Sequence, residues 1–264
     1  MEINLTELTS KLYKSFQDEN KPRELNNWHA SSIAQCPRAQ MYARADIPPL
    51  AKPTGAKIIR WQSGHEIEGV IRPHLKKLYP NLISNVRFTN EELNLTGEID
   101  NFDLDSKTLI EIKSVSTHAV KYRKVSDDRA HLRDERPYLG HEYQQAAYIA
   151  LFRHQNTYID ELGDFLDGGS VKDFMRQMLL IKQVIYLYIT LDGLLVPYST
   201  PVSEGIVSNV LKRLNVLRAA WKAQESPECL CSEDHPLWKS VMQFCDYRNG
   251  SECCSIKLWE NRDA

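Results

Sequence analysis

The sequence has no uninterrupted apolar run long enough to span a membrane. Its opening residues, Met1-Glu2-Ile3-Asn4, carry neither a basic stretch nor an apolar core, so no secretory leader is expected and the chain reads as cytosolic. It has no internal repeat and no low-complexity segment. It also lacks an excess of positive charge: 33 lysines and arginines stand against 35 aspartates and glutamates, a formal net charge of −2. A global basic signature for nucleic acid is therefore missing. A local basic groove is what such binding needs, however, and carboxylates gathered for a metal would themselves lower the total.

What is present supports a core and a metal. The 264 residues are 42% hydrophobic, enough for one large domain or one domain with appendages. Six cysteines in a cytosolic chain point to metal binding rather than disulfides.

Leucine and aromatic spacing predicts an amphipathic helix from Leu5 to Asn20, ended by Lys21-Pro22-Arg23. A second helix is expected to start at Ser31 or Ser32, either of which can cap it, and to close at Asp46-Ile47-Pro48-Pro49. A long helix is expected from Lys57 to Tyr79, with Pro73 able to kink or split it. Strands follow from about Ile83 to Lys113, then a charged stretch, Lys121 to Arg136, that reads as an exposed helix or loop. Tyr138 to His154 reads as a helix, Gln183 to Leu191 as a strand turning at Asp192-Gly193 into another that ends near Tyr198, and Ser203 to Ala223 as a helix. The order suits a mixed sheet with helices on both sides, an α/β fold.

The chemistry concentrates in Gly97-Glu98-Ile99-Asp100 and Leu109-Ile110-Glu111-Ile112-Lys113-Ser114, in two apolar-rich runs with β-branched residues either side of a polar turn at Asp105-Ser106-Lys107. Side chains two apart on a strand share a face, so Glu111 and Lys113 point together while Ile110 and Ile112 enter a core. Asp100 on the neighbouring strand can lie beside them. Two carboxylates and an ammonium on an otherwise apolar sheet are costly unless compensated, and a hard divalent cation with oxygen ligands would compensate them. The bland alternative is a solvated hairpin face.

Two further elements carry candidates. His65, in Gly64-His65-Glu66-Ile67-Glu68, lies on the long helix before the strands. It reads either as a surface or core-edge histidine or as an imidazole ligand for Mn²⁺ or Mg²⁺. Gln144 and Tyr148 are four apart on the helix after the hairpin and so share a face. They read either as an exposed amide beside a core tyrosine or as a polar pair at the site. Glu68 and Glu98 lie nearby; no ligand role is assigned to Glu98.

Histidine, then Gly-x-x-Asp, then Glu-x-Lys, then Gln-x-x-x-Tyr, in that order, resembles the RecB-like branch of the PD-(D/E)XK nuclease superfamily. His65, Gly97, Asp100, Glu111, Lys113, Gln144 and Tyr148 match it in turn, from about Gly64 to Tyr148. The resemblance implies a restriction-endonuclease-like core: a mixed central sheet flanked by helices, in a single domain. Its parts would be an N-terminal helical region over 1–55 carrying Cys36, a nuclease core over 56–200, and a C-terminal helix with a cysteine-rich segment over 201–264. It also implies Mg²⁺ or Mn²⁺ held by Asp100, Glu111 and the Ile112 backbone carbonyl with help from His65. Lys113 would stabilise developing charge or help position the nucleophile, and Gln144 and Tyr148 would support the site and the DNA backbone.

Cys36 stands far from Cys229, Cys231, Cys245, Cys253 and Cys254. One N-terminal cysteine plus a C-terminal group resembles the iron–sulfur nucleases of the same branch, including CRISPR-associated and phage exonucleases. There four thiolates bind a 4Fe–4S cluster that ties the chain ends together. The resemblance gives Cys36, Cys231, Cys245 and Cys253 as ligands, with Cys229 and Cys254 as alternates. The C-terminal spacing departs from the usual Cys-x-x-Cys pattern, which leaves a structural zinc site open. Without the resemblance, Cys36 reads as a small buried hydrophobe.

The expected activity is metal-dependent exonuclease cleavage of DNA, single-stranded or with free ends, in the cytoplasm of a prokaryote or of the host of a phage. The resemblance also implies recombination or CRISPR-adaptation proteins as partners; the chain has no helicase motif, so unwinding would need a partner. The alternative is a non-catalytic or zinc-stabilised DNA-binding subunit. Arg38, Arg44, Arg60, Lys121, Arg123 and Lys124 could line a groove, and Trp28, Trp61 and Tyr122 could stack on bases.

Overall fold

The computed structural model describes residues 5–19, 26–50, 52–116, 137–161, 171–228 and Tyr247. In chain order the elements are α1 (Leu5–Glu19), β1 (Trp28–His29), α2 (Pro37–Arg44), α3 (Gly55–Leu78), β2 (Leu82–Asn90), β3 (Leu95–Asp103) and β4 (Thr108–Val115). They continue as α4 (Leu139–Arg153), β5 (Thr157–Glu161), α5 (Val171–Met178), β6 (Gln183–Thr190), β7 (Leu195–Pro201) and α6 (Glu204–Ala223).

The described strands form one mixed sheet in the order β5-β2-β3-β4-β6-β7, with β1 joined to β3. β1–β3 and β4–β6 are parallel; the other pairs are antiparallel. β6 reads Val-Ile-Tyr-Leu-Tyr-Ile because both of its faces are covered. Val184, Tyr186 and Tyr188 enter the main core with the apolar residues of α4 and α6. Ile185, Leu187 and Ile189 enter a smaller core beneath α3, with Ile110 and Ile112 of β4 and Leu75 of α3. Helices therefore flank both faces of the sheet. Phe88, Phe152, Phe174 and Phe102 form a chain of ring contacts through the main core. No described helix is long and apolar enough to cross a membrane.

The β3–β4 turn falls where the sequence places it. Asp103 Oδ2 accepts from Ser106 N at 3.0 Å and Ser106 Oγ at 2.5 Å, and Lys107 takes the left-handed conformation (φ 59°). α3 is capped by Thr54, whose Oγ1 accepts from Lys57 N, and it continues through Pro73 rather than splitting there. α6 is capped by Ser203 as expected and stops at Gln224 in the left-handed conformation.

The second helix differs from the expectation. Ser31 and Ser32 lie in a short 3₁₀ turn, and α2 begins at Pro37 with Cys36 at its N-cap. A helix begun at Ser31 would put Pro37 in its interior, where the ring clashes with the preceding turn. At the first helical position the missing N–H costs nothing. β1, β5 and α5 were not expected at all. The stretch from Lys121 to Arg136 lies outside the described residues, as do the five C-terminal cysteines.

Candidate active site

The site forms where β3 has a neighbour missing. Along one edge β3 pairs with β1 at Leu95 and Thr96, and with β4 at Asn101, Phe102 and Asp103. Residues 97–100, the Gly-Glu-Ile-Asp segment, fall in the gap between. On the other edge, the β2–β3 register runs Ser84↔Asn101 and Val86↔Ile99, skipping Asn85 and Asp100. Asn85 has φ 56°, a left-handed conformation that asparagine tolerates. The sheet is creased at this pair, and β4 separates from β3 beyond it. Asp100 fills the separation: its Oδ2 accepts from Ile112 N at 2.9 Å, in place of a ladder bond.

Glu111 is 1% exposed on β4 and faces α4. Gln144 Nε2 donates to its Oε1 at 2.8 Å, Gln145 Nε2 donates to its Oε2 at 2.5 Å, and Lys113 Nζ pairs with Oε1. Gln144 Nε2 also reaches the Tyr148 hydroxyl at 2.7 Å, so the expected Gln-x-x-x-Tyr pair is a bonded one. Glu111 and Lys113 share a face as the strand period requires.

Burial raises the pKa of Asp100, and Lys113 and the Ile112 N–H only partly offset it. Burial, with the nearby charge of Asp100, pushes Glu111 up to about 7. Burial alone would lower Lys113, but Glu111 and Asp100 outweigh it and hold the side chain firmly as an ammonium. Tyr148 is raised well above its ordinary value by burial and by the same two carboxylates, so it stays a phenol. The site therefore holds two strained carboxylates, one fixed cation and one hydroxyl donor.

Asp100, Lys113, Gln144 and Tyr148 line a cavity of about 560 Å³ whose other wall is α3. His65, Glu68 and Arg72 project into it at intervals of three and four residues along that helix. Gly64 brings α3 close to β4 here: a Cβ on it would stand 2.9 Å from Ser114 Oγ. Glu68 is 20% exposed in its side chain and its pKa is raised, first by burial and then by Asp100. His65 sits at the mouth, 81% exposed, with Nδ1 3.8 Å from Glu68 Oε2.

These groups can be tested against a hard cation. Among the described residues no three His, Cys, Asp or Glu side chains converge as a ready metal cage. What the site offers instead is two carboxylates, Asp100 and Glu111, near enough for the charge of one to act on the other, and a strand carbonyl beside them. Asp100 keeps Oδ1 without a hydrogen-bond partner among the described residues. Ile112 turns its N–H into the gap, and a strand residue's C=O faces the same edge as its N–H. Such a set suits a cation that takes oxygen ligands and keeps waters or phosphate oxygens for the rest. The donor chemistry fits.

Some sequence candidates fall elsewhere. Trp28 is buried in the main core and cannot stack on a base, and Arg44 is clamped between Trp28 and Trp221 at 4.4 and 4.7 Å from their ring centres. Arg38 Nε is bonded to the Pro227 carbonyl at 2.9 Å. Trp61 is exposed on α3 beside Lys57. Lys121, Tyr122, Arg123 and Lys124 lie outside the described residues. Gln145, Glu68 and Arg72 had no assigned role from sequence. Gln145 follows Gln144 directly, and adjacent helix positions do not share a face; both reach Glu111 because it lies beneath the line between them.

Cys36 is 1% exposed at the start of α2. Tyr247, two residues past Cys245, packs edge-on against Tyr42 of α2 with ring centres 5.1 Å apart, and its hydroxyl donates to Ile47 O at 3.0 Å. Cys229, Cys231, Cys245, Cys253 and Cys254 lie outside the described residues.

Comparison of the sequence with protein-family models and with curated proteins gives no match. Among solved structures the chain is similar to SSO0001, at 15% identity and a TM-score of 0.48 over 91% of this chain and 94% of that one. It is also similar to an alkaline exonuclease, LHK-Exo, from Laribacter hongkongensis, at 11% identity and a TM-score of 0.46 over 80% of this chain and 93% of that one. The same exonuclease in complex with dAMP gives 10% identity and a TM-score of 0.46 over 81% and 93%.

Proposed function

We propose that this protein is a metal-dependent deoxyribonuclease, an exonuclease acting on single-stranded DNA or DNA ends, built on a restriction-endonuclease-like core of the RecB-like PD-(D/E)XK type. The observation that carries the reading is the gap in β3. There Asp100 leaves the strand ladder to stand beside Glu111 and Lys113 at the wall of a cavity. A solvated hairpin face would not bury two carboxylates and raise the pKa of both.

Asp100, Glu111 and the Ile112 carbonyl would hold Mg²⁺ or Mn²⁺, with His65 at the mouth as a further donor. When bound, the cation supplies charge neutralisation at the scissile phosphate and a lowered pKa for an attacking water. Lys113 is too firmly protonated to serve as a base, so its part is to donate to the negative charge that builds on the phosphate oxygens. Tyr148 accepts from Gln144, which leaves its own proton to point into the cavity toward a phosphate oxygen. Gln144 and Gln145 hold the Glu111 carboxylate in place. Glu68, with its raised pKa and its place on the cavity wall, takes the proton of the attacking water. The water oxygen bonds to phosphorus, the bond to the leaving oxygen breaks, and that oxygen takes a proton from solvent. Trp61, exposed on α3, is available to stack on an unpaired base.

The same reading includes a 4Fe–4S cluster held by Cys36 with Cys231, Cys245 and Cys253, or with Cys229 or Cys254 in their place. What supports it is local: Pro227 accepts from Arg38, two residues past Cys36, and Tyr247, two residues past Cys245 in sequence, packs on Tyr42 of α2. The cluster would tie the two ends of the chain together. A purified protein carrying zinc and no iron would replace the cluster with the zinc alternative and leave the nuclease reading untouched.

End-labelled single-stranded DNA incubated with Mn²⁺ tests the activity. The wild-type chain is expected to release short products, and Asp100→Asn, Glu111→Gln and Lys113→Met to release none. Binding without cleavage by the wild type would favour the non-catalytic subunit; undiminished cleavage by all three variants would remove these residues from the chemistry.

A further inference from the structure

We infer that Arg72 and Asn85 form a phosphate-binding subsite that holds a non-scissile phosphate of the DNA strand beside the reacting one. The inference rests on the nuclease reading and adds to it a second point at which the strand is held.

Arg72 lines the same cavity as Asp100, one helical turn beyond Glu68 on α3. A guanidinium carries five N–H donors and no acceptor. Arg72 makes no hydrogen bond and no ion pair with any described residue, and its Nε is buried without a partner. Leaving such a donor unsatisfied costs free energy unless a ligand meets it. The contrast within the cavity is Arg87, which is held by Glu98 at 2.8 Å.

The charge of Arg72 acts on Asp100 and Glu68 from a distance, less strongly than that of Lys113. That leaves a guanidinium whose N–H donors are uncommitted among the described residues. Asn85 supplies a second group of the same kind. It lines the cavity from the crease opposite Asp100, and its amide bonds to no described residue. A planar guanidinium fork matches the oxygens of a phosphate, and an amide adds a donor at a neighbouring oxygen. Asp100, Glu111 and Lys113 occupy the strand side of the cavity and serve the reacting phosphate. Arg72 reaches in from the helix side, so the phosphate it meets is a different one.

The test uses the full chain and single-stranded oligonucleotides in which one linkage at a time is a neutral methylphosphonate, together with matched oligonucleotides bearing or lacking a terminal phosphate. Cleavage is read with Mn²⁺ and binding by fluorescence anisotropy in EDTA. For the wild type, neutralising one non-scissile phosphate should lower kcat/KM by roughly 10- to 100-fold. R72Q should lose a similar factor on the unmodified strand and lose nothing more when that same phosphate is neutralised. R72K, which keeps the charge but not the fork, should recover only part of the loss. The Mn²⁺ concentration for half-maximal rate should stay unchanged in R72Q. A coupled position inside the strand names an internucleotide phosphate; one confined to the terminus names an end phosphate; either supports the subsite. Equal sensitivity of wild type and R72Q at every position overturns it, as does an R72Q defect that appears only as a changed Mn²⁺ requirement. Should R72Q fail to fold, the same comparison with R72K decides. A wild-type chain that neither binds nor cuts DNA overturns the nuclease reading and this inference together. A wild type that cuts normally, with R72Q unchanged, overturns the subsite alone.

Discussion

Tyr148 lies against the bare α-carbon of Gly97: a Cβ built there would stand 2.6 Å from Tyr148 Cε1 and 2.8 Å from Cδ1. The glycine of the Gly-x-x-Asp segment is thus the floor on which the tyrosine ring rests. The contact sets the height at which its hydroxyl meets Gln144 and the cavity.

Gly97→Ala should therefore destabilise the protein by about 1–3 kcal/mol, the usual cost of forcing atoms into a filled space. Much of that cost should vanish when Tyr148 is also truncated to alanine. A double-mutant cycle by denaturant unfolding reads the coupling. Additive effects of the two substitutions would mean that the ring moves aside freely.

Asp100→Asn should separate folding from chemistry. The amide oxygen can still accept from Ile112 N, so the bridge across the gap survives while the buried charge goes. The melting temperature of the metal-free protein is expected to hold or rise, and Mn²⁺-dependent cleavage to disappear. A large fall in stability would show that the negative charge itself holds β3 to β4.

Stability without metal should fall as pH rises toward neutrality. Glu111, pushed up to about 7 chiefly by burial and then by Asp100, binds its proton more tightly folded than unfolded. The stabilisation this gives is complete below the ordinary carboxylate range and is lost as pH climbs through about 7. Asp100 is shifted in the same direction. Lys113 is raised as well, so it stays charged across this window and does not alter the sign. Melting in EDTA from about pH 5 to pH 8 checks the slope. Glu111→Gln should flatten it, and Mn²⁺ at the alkaline end should restore stability to the wild type. A wild-type curve no steeper than that of Glu111→Gln would contradict the assignment.

The cysteines should act together. A brown protein absorbing at about 400 nm is expected on anaerobic purification, and Cys36→Ser should bleach it. The same substitution should increase cleavage by protease near Tyr247, whose described anchors are the ring contact with Tyr42 and the bond to Ile47 O. A colourless wild type containing zinc would favour the zinc alternative.

How far the sequence could be read depended on the length and regularity of each signal. The β3–β4 hairpin, the long helix before it, and the faces of Glu111, Lys113, Gln144 and Tyr148 follow from periods of two and 3.6 over many residues. The crease at Asn85 and Asp100 did not, since one skipped pair leaves no mark on composition. β1 has two residues and α5 eight, too short for a period to emerge. Arg72 and Glu68 look like the solvated face of a charged helix until the cavity is seen on their side. Trp28 and Arg44 look like a base-stacking ring and a groove cation, yet each takes the other as its partner in the core, which no local pattern signals.

The central claim is that Asp100, Glu111 and the Ile112 carbonyl share one divalent cation. Anomalous scattering from a crystal soaked in Mn²⁺ tests it most directly. An ion bonded to all three, at about 2.1 Å from each oxygen, is the expected result. Density with no ion in the gap, or an ion held only at the surface by His65, would contradict it.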